Sequence, residues 1–574
     1  MKAPLRALPT LPLALFLLVA FFVPTVTAVV LGVWDPNRGL DIAGLAATIG
    51  KPVYLAVLGR SLEIAAWTTV LCLVGGLPIA LGIHAAQGRW KRMLLVAVLV
   101  PFWTSALVKG FAWAVLLGRN GVLNTTFSAA AGSQVETGIL YTHGAVVLGM
   151  VHTLMPFAVV SILPVLEALD PRLEKAARTL GAGRVEAFAR VVLPLVKPGL
   201  AAASLIVLIT SVGFFIIPAL LGGPRQMMVA NLIIESVQEI MNWKLAGGLA
   251  LILFGLVVVI LLAYGAIFGM GSLIGEQRAS ANGARRPRRL WDPRRARAWT
   301  TVDRLGELAQ RLPGSGWSGR HVGTVVLGLL LLFLLAPVLV LIPVSFTRSA
   351  IVDWPPEFFS FRWYQALWTP TWLAAATRSL LVAFFASLLA IALALPAAIW
   401  FVRHAGRWRT ASLVAVISPL IIPRIILAVG LFWLYARLGL VGSNLGLVIG
   451  HAVIAVPFVT LTLISVIQAY DERLDSVAAV CGAAPAYRLR RITLPILAPG
   501  LLSAFLFACV TSIDELTIAL FVTGGLTNTL PKQMWDEASI KVTPTLASAS
   551  VVLFVVMAVV VLAGERLRAK SSPR

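Results

Sequence analysis

Apolar residues in this chain come in long blocks, separated by short polar breaks. The blocks lie at about 11–33, 58–83, 93–117, 143–167, 198–221, 246–271, 323–346, 376–402, 411–436, 444–468, 498–522 and 546–563. Most reach the roughly 20 residues that cross a hydrocarbon core. Backbone amides find no water in lipid, so each block predicts a helix that satisfies its own hydrogen bonds. The pattern therefore predicts an all-α integral membrane protein with about twelve transmembrane helices. The first block follows Lys2 and Arg6 but is too long for a signal-peptide core. No clear small-x-small cleavage site follows it, so it predicts an uncleaved first helix.

The pattern repeats. Arg60-Ser61-Leu62 returns as Arg378-Ser379-Leu380, Pro78 as Pro396, and Pro101 as Pro419, all 318 residues apart. Trp113 and Asn124 return as Trp433 and Asn444 at 320, and from Pro156 and Pro457 onward the offset is 301. The difference is an insertion near TTFSAAAGSQVETGILYTH in the first copy. The chain thus reads as two parallel six-helix repeats, 1–271 and 323–574, joined by a basic linker at 272–322. A short amphipathic helix is possible near 302–312, and the linker reads as a tether that can rest on lipid head groups.

Two polar breaks stand in equivalent places. One reads EKAARTLGAGRVEAFARVVLPLVKPG, from Glu174 to Gly199, and the other DSVAAVCGAAPAYRLRRITLPILAPG, from Asp475 to Gly500. Asp170-Pro171 and Asp471-Glu472 read as helix starts, because an aspartate there accepts from free amides. Helices of about ten residues then run to Gly181 and Gly482, which suit a left-handed closing turn. A second short helix and a Leu-Pro pair follow. The result is a helix–turn–helix elbow in each repeat, with Ala182, Gly183, Ala483 and Ala484 leaving room for a partner at the turn.

Composition fits this picture: 59% of residues are hydrophobic and 12% charged, far fewer charges than a soluble domain carries. The net charge of +23 raises the possibility of nucleic-acid binding. Its placement argues otherwise. If the N-terminus is cytoplasmic, about 33 of the 47 Lys and Arg fall on that same side, as membrane topology demands. The excess marks orientation and a surface attracted to anionic lipid, with both termini cytoplasmic. Cys72, Cys481 and Cys509 form no disulfide framework, and the six His show no metal-like spacing. No G-x-x-x-x-G-K-[ST] loop occurs, so ATP hydrolysis is not expected of this chain.

Ionisable residues inside spans are costly and mark pathways. The clearest are Asp514 and Glu515, in FACVTSIDELTIALFVTGG, with Thr511 one turn before. On an unbroken eleventh helix Asp514 stands roughly 24 Å from the start. The matching positions of the first repeat are Gly213 and Phe214, so the path is expected to be electrostatically lopsided. An unpaired carboxylate there favours a cation, with Trp113 and Trp433 as candidate cation–π partners. Alternatively the acids form a structural ion pair with Lys109 or Arg424, and the tryptophans are packing or interface anchors.

A-A-R-T-L-G followed by V-x-L-P, and the weaker V-A-A-V-C-G followed by I-x-L-P, resemble the EAA loop of permeases in binding-protein-dependent ABC importers. The resemblance implies coupling elements around Gly181–Ala187 and Gly482–Tyr487. Carried over by position, these involve Glu174, Ala176, Ala177, Gly181, Arg184, Glu186, Asp475, Ala478, Gly482 and Tyr487. Lys175, Ser476 and Val477 depart from the family's Glu-Ala-Ala pattern. It further implies two ATP-binding cassette subunits that use ATP and Mg, a substrate-binding protein outside, and no cofactor on this chain. SIDELTIALFVTGG with TLPKQMWDEASIKVTPTLASAS, and VPFWTSALVKGFAWAVLLGRNGVLN with GFFIIPALLGGPRQMM, resemble the two permease subunits of spermidine/putrescine importers. The implied protein is both subunits in one chain, in a bacterial inner membrane. Related permeases carry ferric iron, opines and phosphonates, which stay open as cargo, and a proton-coupled transporter is the alternative class. Trp535, Asp536 and Glu537 are candidates to meet the binding protein or to form a solvated surface.

Overall fold

The computed structural model describes residues 9–35, 39–182, 184–268, 319–356, 358–404, 406–471, 473–525, 527–540 and 543–571. Among them eleven helices are long and apolar enough to cross a membrane. A bent pair, Trp408–Ile421 and Arg424–Leu438 at 92°, supplies a twelfth. Two blocks coincide with their helices residue for residue, His143–Glu167 and Asn444–Gln468. Many large apolar side chains point outward, among them Val74, Leu262, Leu332 and Phe384. An apolar exterior on this scale is what lipid, rather than water, tolerates. The linker and the helix expected at 302–312 lie outside the described residues up to position 318.

Four of the expected spans are not straight helices. The third block of the first repeat divides into Gly88–Trp103 and Ala106–Leu117. Pro101 removes a helical donor just before the break, and the Ser105 hydroxyl caps the new helix by accepting from Leu107 N–H. Pro419 and Pro423 flank the equivalent break in the second repeat. The fifth blocks divide too, into Leu193–Val212 with Ile216–Leu221 and Leu494–Ile513 with Thr517–Val522. Asp514 and Glu515 therefore occupy a break between helices, not the wall of a continuous one. Broken helices at this depth are sustainable where protein covers the freed backbone.

The two repeats exchange their first helices. Phe21 and Ala28, from Leu11–Val30, share a core with Ile425, Ile426 and Leu431 of the second repeat. The approach is so close that a Cβ on Gly430 would lie 1.9 Å from the Pro24 carbonyl oxygen. Reciprocally, Leu334 of the Gly319–Ser345 helix sits in the first repeat's core, and its carbonyl lies 3.0 Å from His152 Nε2. The boundaries at 271 and 323 divide the sequence, while the packed bodies cross them.

Equivalent residues do equivalent work elsewhere. Ser61 accepts from Val229 N–H at 2.9 Å and Ser379 from Leu530 N–H at 2.7 Å. Each bond ties a long helix, Pro52–Ala85 or Pro370–Arg403, to the short helix that follows the broken fifth span. This explains the recurring serine of Arg-Ser-Leu.

Candidate functional site

The elbows form as two near-identical backbones. Asp170 and Asp471 each accept from the N–H two residues on, Arg172 and Arg473, at 2.9 Å. The helices Arg172–Thr179 and Arg473–Val480 follow. Each ends with the same pair of bonds: Ala182 N–H to Ala177 oxygen and Gly181 N–H to Arg178 oxygen, matched by Ala483 to Ala478 and Gly482 to Ala479. Gly181 and Gly482 have φ of +93° and +83°, which side-chain-bearing residues rarely adopt. Ala176 accepts from Leu180 N–H in the same closure. Leu180 and Val480, 89% and 90% exposed, stand beside the turns as apolar tips. Sequence reading passed over these two; their signal was an apolar residue within two positions of each hinge glycine.

Side chains around the two backbones differ. Glu174 is exposed, and Glu186 pairs with Arg190 one turn on at 2.8 Å. Arg184 lies in the short Arg184–Ala187 helix, and its side chain lies outside the described residues, as does Gly183. Tyr487 is exposed. Asp475, by contrast, is turned inward. Its Oδ1 accepts from the Thr493 hydroxyl at 3.0 Å, and its carbonyl from Arg488 Nη1 at 3.3 Å. Its carboxylate braces the elbow from within, whereas Glu174 faces outward.

The second assembly lies at the helix breaks between the repeats. Glu515 is 1% exposed; its Oε2 accepts from Arg424 Nη1 at 2.7 Å and its Oε1 from Ile518 N–H at 3.0 Å. One carboxylate thus neutralises a cation from the bent span and caps the Thr517–Val522 helix. His451 Nδ1 lies 2.7 Å from the Ser512 hydroxyl beside it. Of the expected alternatives, the ion pair with Arg424 is what forms, which removes Glu515 from the free path charges.

Asp514 differs. Its Oδ1 is buried without a hydrogen-bond partner. The charges that act on it come from Lys109 of the first repeat, Arg424 and Glu515, with the Ser105 hydroxyl also in contact. Lys109 is 2% exposed. A buried, partnerless acceptor costs about 1–3 kcal/mol, more when charged, and such a cost points to a group kept for a ligand.

Below this layer, toward the elbows, five aromatic rings bridge the repeats. Phe157 meets Phe102 at 4.8 Å and Phe102 meets Trp103 at 5.0 Å. Trp103 then meets Phe507 at 4.9 Å, and Phe507 meets Phe458 at 5.2 Å. The two ends of the bridge, Phe157 and Phe458, are equivalent residues at the 301 offset. Phe507 precedes Asp514 by two turns, about 10 Å along the helix. Sequence reading missed this bridge, although the paired phenylalanines were in register.

The other proposed path residues are otherwise occupied. Thr511 donates to the Phe507 carbonyl of its own helix at 2.9 Å. Trp113 is buried against His152 and Phe333, each 5.7 Å between ring centroids. Trp433 holds Arg437 over its ring at 3.6 Å. Both tryptophans therefore serve packing and a local cation. On the face away from the elbows, Asp536 pairs with Lys532 and accepts from Asn528, and Trp535 packs on Phe215 of the first repeat. Burial pushes the Glu537 carboxyl above its ordinary value, against hydrogen bonds from Thr543 and Trp372.

Comparison with known proteins agrees with this architecture. The family model described as binding-protein-dependent transport system inner membrane component matches residues 76–266 and again 388–574. The spermidine/putrescine transport system permease protein PotB of Haemophilus influenzae is 34% identical over 214 residues, 37% of this chain and 75% of that protein. PotB of Escherichia coli is 32% identical over 213 residues, 37% of this chain and 78% of that protein. PotC of H. influenzae, also a spermidine/putrescine permease protein, is 30% identical over 233 residues, 40% and 90% of the two chains. With the family model matched twice over a pseudo-symmetric pair of six-helix repeats, this chain belongs to the inner membrane components of binding-protein-dependent transport systems.

Proposed function

We propose that this permease carries a small organic polycation of the polyamine class into the cell, driven by two ATP-binding cassette subunits docked on its elbows. Both termini, the linker at 272–322 and the elbows lie on the cytoplasmic side in this reading, which the concentration of Lys and Arg there supports. The partner subunits bind and hydrolyse ATP with Mg; a substrate-binding protein delivers the cargo to the opposite face. Repeats 1–271 and 323–574 act as the two halves of the gate, with Gly181 and Gly482 at the hinges that receive motion.

The observation that carries the cargo reading is the Asp514 carboxylate, with its Oδ1 buried and unpartnered, two helical turns above an aromatic bridge between the repeats. An ammonium group can pair with that carboxylate and then with the faces of Trp103 and Phe507, an attraction of ~0.5–2 kcal/mol per contact. The named activity of the PotB and PotC relatives supports the same class.

The test is ATP-driven uptake of labelled spermidine by the assembled complex in proteoliposomes. Asp514→Asn should lower uptake about tenfold or more, the equivalent of ~1.4 kcal/mol, while ATPase subunits still co-purify. Undiminished spermidine uptake by that variant, or no spermidine uptake by the native complex, ends the polyamine reading.

A further inference from the structure

A cleft of about 330 Å³ opens behind the second elbow. Its floor is apolar: Ile399, Ile467 and Leu497 come from within the membrane-spanning helices. Its rim carries Arg403, Tyr470, Ser476, Arg488 and Thr493. The rim lies where two spans end, at Arg403 and Gln468, and a third begins at Leu494. That is the depth of lipid head groups.

One rim donor is unmatched: Arg488 Nε is buried with no hydrogen-bond partner, although Arg488 uses Nη1 on the Asp475 carbonyl. The Tyr470 hydroxyl lies beside it, against Thr493 and Asp475. Burial raises the Tyr470 phenol above its ordinary value, so it remains a donor at neutral pH. Asp475 is the acidic group among the lining residues, and Thr493 already engages its Oδ1. Arg403 and Arg488 place two guanidinium groups on the rim beside Asp475.

The equivalent positions of the first repeat carry different residues. Leu81, Leu169 and Val192 replace Ile399, Tyr470 and Thr493, and pack on its core. Ala85 and Ala187 stand for the two arginines, with Ala187 fully buried. The polar rim is thus written into the second repeat at these positions.

We propose that this cleft binds the phosphate of an anionic glycerophospholipid and that the bound lipid braces the second elbow. Donors around a phosphate above an apolar floor match a phosphodiester attached to glycerol and acyl chains, whereas a free phosphate leaves the floor unused. The leaflet involved follows from the orientation proposed above; the binding does not depend on which cargo is carried.

Native mass spectrometry of the detergent-purified complex with its ATPase subunits provides the test, with phosphatidylglycerol as probe. The wild-type complex should retain phosphatidylglycerol about tenfold better than the variant Tyr470→Leu/Arg488→Ala/Thr493→Val, which copies the first repeat's packing. Tyr470→Phe alone keeps the ring and should weaken retention about threefold, so the idea stays testable if the triple variant assembles poorly. In nanodiscs, coupled ATPase activity should rise when phosphatidylglycerol is added to phosphatidylcholine, and the variants should lose that response. Equal retention by wild type and both variants overturns the site. Full restoration by soluble glycerol 3-phosphate overturns the membrane source. Neither result touches spermidine uptake, so failure here is distinguishable from failure of the transport reading.

Discussion

The two elbows share a backbone and differ in what holds it. In the first, Leu169, Val192 and Ala187 close the space behind the turn with apolar contacts. In the second, Thr493 and Arg488 reach Asp475 across a polar cleft. The helix breaks repeat the contrast: Gly213 and Phe214 stand where the second repeat has Asp514 and Glu515. The backbone of the turn is held constant, and the surrounding side chains have diverged. The first repeat is a packed support behind its turn; the second holds its turn and its break by polar and charged contacts and is the more conditional of the two.

The largest effect should come from Arg424. Replacing it by Leu leaves Glu515 buried and unpaired, a loss on the order of 3–5 kcal/mol. The yield of folded protein and its thermal midpoint should both fall sharply. The double replacement Arg424→Leu with Glu515→Gln should recover much of this, because the isolated charge is gone while an amide can still cap Ile518 N–H. If the single and double variants melt alike, the pair is not what holds the break. The equivalent position of the first repeat supports no such cycle.

Next in size are the hinge glycines, where the repeats should behave alike. Val at Gly181 or at Gly482 forces a positive φ on a β-branched residue, at about 1–2 kcal/mol. No atom lies within 4 Å of a Cβ built at either site, so backbone strain rather than collision sets the cost. ATPase co-purification and coupled hydrolysis should drop in both variants. A strong effect at one hinge and none at the other breaks the equivalence.

How much of this the sequence disclosed depends on range. The elbows were legible because each of their bonds is local: Asp170 to Arg172, Arg178 to Gly181 and Ala177 to Ala182 all span five residues or fewer. The spans were legible because hydropathy reports depth. Hydropathy does not report neighbours, so the exchange of first helices, Pro24 onto Gly430, left no trace in the pattern. The breaks were half-signalled by Pro101 and Pro419 but were read as continuous helices, since proline is common in membrane spans. Asp514 and Glu515 were found as a pair, yet they divide their work. The backbone turns between them, and a partner 91 residues away captures one of the two.

A smaller difference is expected at Thr493. Thr493→Val removes the hydroxyl that braces Asp475 and should cost about 1 kcal/mol. The reciprocal Val192→Thr places a hydroxyl in an apolar setting and should cost a similar amount for the opposite reason. Thermal midpoints of the two variants check whether each elbow tolerates the other's residue. Tolerance of both exchanges would mean that the glue is interchangeable.

The smallest effect is a pH dependence that Glu537 gives the second repeat. Glu537 is half-buried in Leu530–Ile540, and its carboxyl sits above the ordinary value because burial disfavours the charged form. Its equivalent in the first repeat is Ser236, which donates to Leu232 oxygen and carries no titrating group. A raised folded-state value means that the protonated acid is the better-accommodated form. Its contribution is therefore full below the unfolded value and is lost as pH rises through the folded one. Acidification from neutrality toward that range should raise the thermal midpoint slightly relative to Glu537→Gln, which has no proton to exchange. The gap is expected to stay within about 0.5 kcal/mol, as for a partly solvated side chain. The measurement is the difference in midpoint between wild type and Glu537→Gln across pH, read in the assembled complex. A difference that is flat with pH, or that widens toward alkaline pH in favour of wild type, contradicts the assignment.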